Sequence, residues 1–139
     1  MSKWNGILPG VTIRPLTLGL VVGDLLIILS VMAIGLLSHD VSPLADPSHT
    51  IQTALPFLLG WILTAPVCGL YAERIWKSIP FTVGITILAW SGASLLGGAI
   101  RSTTYFHGGA PAVFIVVTVG TGLLVLLPWR VFISYALSR

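Results

Sequence analysis

The chain has 139 residues, 55% of them hydrophobic and only 8% charged, and its mean hydropathy is +1.00. A soluble domain carries roughly a quarter charged residues, so this chain cannot coat a globule with polar surface, and a bilayer is its natural solvent. The net charge of +3 is spread singly over segment ends, without the basic patch and stacking aromatics that nucleic acid requires.

Four apolar stretches follow in chain order, at about residues 16–37, 51–71, 79–100 and 112–136. A helix needs about 20 residues to cross a hydrocarbon core about 30 Å thick, and only a helix satisfies its own backbone there. The pattern predicts an all-α polytopic membrane protein, a compact bundle of four transmembrane helices forming one domain over 1–139. The first stretch is too long for the apolar core of a signal peptide, and no convincing cleavage site follows it.

Short connections carry the topology. "SHDVSPLADPSHT" (38–50) has His39, Asp40, Asp46 and His49 but no Lys or Arg, whereas "AERIWKS" (72–78) has Arg74 and Lys77. Lys3 and Arg14 precede the first span, Arg130 and Arg139 end the last, and "RSTTYFHGGAP" (101–111) holds Arg101 and His107. Basic segments stay inside, so both termini and the 72–78 connection are expected in the cytoplasm of a cell membrane. Pro43 and Pro47 stiffen the first outer connection. Pro56, Pro66 and Pro128 fall inside spans, where a missing backbone donor bends a helix.

Membrane helices associate where small side chains let backbones approach. Gly19 and Gly23 in span one, Ala65 and Gly69 in span two, Ala89, Ala93 and Gly97 in span three, and Thr118 with Gly122 in span four supply such seams. Thr64, Ser91, Ser94 and Thr121 add hydroxyls beside them. Trp4, Trp76, Trp129, Tyr71 and Tyr105 read as anchors at the membrane–water boundary, and Trp61 and Trp90 as deeper packing residues. Cys68, the single cysteine, reads as a small hydrophobe.

One residue resists this apolar reading. Asp24 lies in "VVGDLLIILS", about 4 Å from the middle of span one. A charge there costs at least about 2.5–3.5 kcal/mol, so Asp24 must face the bundle interior. Arg130 in span four is the natural partner, about 8 Å away along the bundle axis, and a guanidinium reaches far and binds carboxylates in a bidentate fork. Two readings stand. Asp24 and Arg130 form a structural pair in a non-transporting accessory, assembly factor or subunit of a larger membrane complex. Alternatively Asp24 titrates in a small ion- or proton-linked carrier or channel, which would be a homo-oligomer because four helices enclose little. Arg101, Thr64, Ser91, Ser94, Thr118 and Thr121 are secondary polar candidates for such a path. No catalytic motif, metal-ligand spacing or cofactor-binding loop is evident, so no metal, no cofactor and no enzymatic activity are expected, and the expected surroundings are lipid.

Several local patterns occur together in order: "GD" (23–24), "SH" (38–39), "TALPFLLGW" (53–61), Pro66 with "GLY" (69–71), "GGAIR" (97–101) and "WR" (129–130). This set resembles a bacterial and haloarchaeal membrane-protein family catalogued as domain of unknown function 3054, over about residues 20 to 132. The resemblance implies a small four-helix membrane protein and no particular activity. It also implies that Asp24, Pro66, Arg101 and Arg130 belong to the family pattern.

Overall fold

The computed structural model describes residues 15–38, 42, 44–103, 106 and 111–137, without the side chains of Ser38, Glu73 and Trp76. Lys3, Trp4, Arg14, His39, Asp40, Pro43, Tyr105, His107 and Arg139 lie outside the described residues. The apolar runs become α1 (Pro15–Ser38), α2 (Pro47–Val67), α4 (Ile79–Arg101) and α5 (Ala112–Leu137), with a single helical turn, α3 (Glu73–Trp76), between α2 and α4. All four long helices have the length and apolarity to cross a membrane. The protein is therefore an all-α, multi-pass membrane protein.

Helix α2 departs from the expected 51–71 at both ends. At its start the Asp46 side chain accepts the His49 backbone N–H at 3.1 Å, and Pro47 occupies the first turn. Together they cap the helix earlier than hydropathy suggests. At its end Gly69 adopts φ 81°, and the Leu70 N–H returns to the Ala65 carbonyl at 3.0 Å. This is a Schellman-type stop, which favours a glycine because other residues pay a steric cost at positive φ. The apolar residues after it do not continue the helix. They tuck inward, leaving Leu70 and Tyr71 buried. Helix α2 runs through Pro56 and stops just after Pro66, and α5 runs through Pro128.

The long helices form a ring in the order α1, α2, α4, α5. Among the described residues α1 meets only α2 and α5, and α4 lies across the bundle from it. The α2–α4 contact is the closest. A Cβ on Gly60 would sit 2.5 Å from the Ala93 carbonyl oxygen, and one on Gly97 2.7 Å from Phe57 Cδ1. Ala65, Ala89 and Ala93 are wholly buried. The single Thr64 hydroxyl proton is shared between the Gly60 carbonyl of the same helix at 2.8 Å and the Ala89 carbonyl of α4 at 3.1 Å. On the α4–α5 side Gly122 leaves room for the Trp90 indole, whose N–H donates to the Thr118 carbonyl at 3.2 Å. Trp61 and Trp90 meet in the centre with ring centroids 6.1 Å apart.

Two glycines differ from the small-residue seams expected of them. Gly19 has open space around its Cβ direction, because α1 turns Thr17, Leu20, Asp24, Ile28 and Val31 inward and so points Gly19 outward. Gly69 lies past the end of α2, and its role is the turn rather than helix packing. Gly60, absent from the expected seams, makes the tightest α2–α4 approach. Substituting Gly60→Val should therefore lower stability by about 1–3 kcal/mol through overpacking, while Gly19→Ala should stay within about 0.5 kcal/mol. Reversible unfolding in mixed detergent micelles measures both.

Candidate functional site: a buried aspartate held by four donors

Asp24 sits nine residues into α1, about 14 Å along the helix. It has no solvent exposure, and Arg130 has 1%. An ionised carboxylate offers about four acceptor positions, and four donors meet this one. Oδ1 accepts the Trp129 indole N–H and the Arg130 Nε–H, each at 3.0 Å. Oδ2 accepts the Tyr71 hydroxyl at 2.6 Å and the Arg130 Nη2 group. The guanidinium thus engages through its Nε–Nη2 edge, a planar two-bond fork that a lysine cannot reproduce.

Each neighbour is positioned by a local feature. Gly23 precedes the aspartate, and a Cβ there would lie 2.5 Å from Trp129 Cζ2. Its missing side chain admits the indole that donates to Asp24. The Gly69 turn brings the chain back so that Tyr71 points at the carboxylate. Trp61 then donates its indole N–H to the Tyr71 oxygen at 2.9 Å, so the phenol both accepts and donates. The Arg130 guanidinium carbon also lies 5.1 Å from the Tyr71 ring centroid, within cation–π range. One network therefore joins α1, α2, the turn after α2, and α5.

Tyr71 and Trp129, expected as boundary anchors, have a second role that their sequence positions did not suggest. Tyr71 is buried and Trp129 half-buried, and both spend their polar atoms on Asp24. Nothing in hydropathy distinguishes a tryptophan at a membrane boundary from one bonded to a buried acid. The available signal was the joint occurrence of "GD", "GLY" and "WR" among the patterns that carry the family resemblance.

The secondary polar candidates do not join this network. Thr64 bridges α2 to α4, and Thr121 bonds back to the Val117 carbonyl at 2.7 Å. Thr118 supplies the carbonyl that receives Trp90. Ser91 is half-buried. Ser94 is buried with no partner for its hydroxyl, as are the hydroxyls of Thr86 and Ser134 and the Nη1 group of Arg130. Arg101 lies at the opposite end of the bundle, its guanidinium carbon 5.1 Å from the Phe114 ring centroid. Asp46 and His49 begin α2 at that same end.

The fold and this site define a class: a four-helix integral membrane protein whose first span is tied to its last by a buried ion pair. The family profile described as "Protein of unknown function (DUF3054)" matches residues 21–133, and the chain belongs to that family. No curated protein and no solved structure matches it. The matched region contains every residue of the Asp24 network.

Tyr71→Phe removes one donor from a buried charge and should lower stability by about 1–3 kcal/mol. Trp61→Phe removes a donor one step further out and should cost less at the carboxylate. Comparing the unfolding midpoints of the two variants in the same detergent checks this order.

Proposed function

We propose that the protein is a non-transporting accessory or assembly subunit of a membrane complex, and that the Asp24–Arg130 pair is structural. The observation that carries this reading is the closed donor shell of Asp24, filled entirely by the chain's own side chains. A carrier must exchange a bound ion or proton at its acidic group in every cycle. Here that exchange would break a buried pair, a step that costs on the order of 3–5 kcal/mol when one partner is removed. The outward faces support the same reading. Helix α5 keeps Val113, Val116, Val117, Leu124 and Phe132 exposed, an apolar surface suited to lipid or to a neighbouring membrane helix.

The protein resides in a cell membrane with both ends of the chain in the cytoplasm. This orientation rests on Arg74 and Lys77 between α2 and α4, against the acidic Asp46 beside α2's start.

Two measurements test the proposal. Purified protein in proteoliposomes should show the same proton flux as protein-free vesicles, and Asp24→Asn should not alter it. Proton flux in the wild type that disappears in a folded Asp24→Asn variant contradicts the structural reading. Orientation is read by impermeant thiol labelling in a Cys68→Ser background, where Lys77→Cys should be protected in intact cells and Ser48→Cys labelled.

A further inference from the structure

We propose that the groove between α1 and α5 is a binding site for one acyl chain of an anionic phospholipid, with the headgroup phosphate held at Arg101. This goes beyond the accessory role and does not depend on it.

The groove occupies the half of the bundle away from Asp24 and has a volume of about 620 Å³, within the roughly 300–1,000 Å³ usual for small-ligand sites. Its walls are aliphatic and aromatic, including Val31 and Leu36 from α1 and Phe114, Val117 and Leu124 from α5. Along α5 the lining runs from Phe114 to Val125, about 16 Å at helical rise, close to half of a hydrocarbon core about 30 Å thick. The groove is thus one leaflet deep. Its charged residue, Arg101, and His49 stand at one end, while the hydroxyls of Thr118 and Thr121 are spaced along the α5 wall. Arg101 is the last residue of α4 and His49 lies in the first turn of α2, so both stand where the helices leave the hydrocarbon.

An apolar slot of leaflet depth with a guanidinium at its headgroup end matches an anionic lipid in polarity. The walls combine branched aliphatics such as Val31, Ile34 and Leu124 with the smaller Gly35, Thr118 and Thr121. A flexible acyl chain can follow them.

The test is native mass spectrometry of the full chain released from micelles containing equal phosphatidylglycerol and phosphatidylcholine. The wild type should retain one phosphatidylglycerol in preference to phosphatidylcholine. Arg101→Gln should reduce that preference about fivefold, the contribution of one basic residue near the headgroups. Thr121→Trp fills the groove from an exposed position and should lower retention of both lipids. Val117→Trp makes the same test from a neighbouring position should the first variant not fold. Equal retention of the two lipids by the wild type overturns the proposal. So does unchanged retention in folded groove-filling variants, or a second copy of the chain held there in place of lipid.

Discussion

A carboxylate placed in hydrocarbon must find donors within its own protein, and this requirement organises the molecule around Asp24. Without water nearby, each lone pair left empty is a direct cost. The chain meets it with Tyr71, Trp129 and a side-on Arg130, which together fill both oxygens. Because lipid offers no hydrophobic reward for bringing helices together, such a polar contact can decide where a helix sits. Helix α1 is the element most dependent on it. Across the bundle, α2 and α4 are joined by close backbone approach at Gly60 and Gly97, whereas α1 is fastened to α5 through the carboxylate.

The same requirement gives several short sequence patterns a common cause. Gly23 makes room for the indole that binds Asp24. The positive φ of Gly69 turns Tyr71 inward. Trp61, which closes "TALPFLLGW", orients the Tyr71 hydroxyl, and "WR" supplies two adjacent donors from one turn of α5. Residues separated by as many as 106 positions thereby serve one oxygen pair. The ion pair also leaves the other half of the α1–α5 boundary free to form the apolar groove with Arg101 near its end.

Much of the architecture was legible in the sequence because hydropathy and length govern crossing helices directly. Helices α1, α4 and α5 extend only a residue beyond the apolar runs that announced them. Helix α2 shifted because its ends are set by local chemistry: an Asp46 cap starts it in the polar stretch before the apolar run, and a Gly69 stop ends it while the run continues. Asp24 was conspicuous as the acid in span one, and Arg130 as the base inside span four. Tyr71 and Trp129 were not, since their roles depend on where a turn and a neighbouring helix bring them. Gly19 looked like half of a packing motif, but the inward stripe of α1 follows Leu20, Asp24 and Ile28 and leaves it outside.

The most direct measurement is a double-mutant cycle in reversible unfolding with Asp24→Asn, Arg130→Gln and the two combined. If these side chains form the structural pair, each single change leaves a buried partner uncompensated, and the combined variant loses less than the sum, by about 0.5–3 kcal/mol. Losses that simply add, within about 0.3–0.5 kcal/mol, would mean that the two residues stabilise the fold independently, and the account would be wrong at its centre.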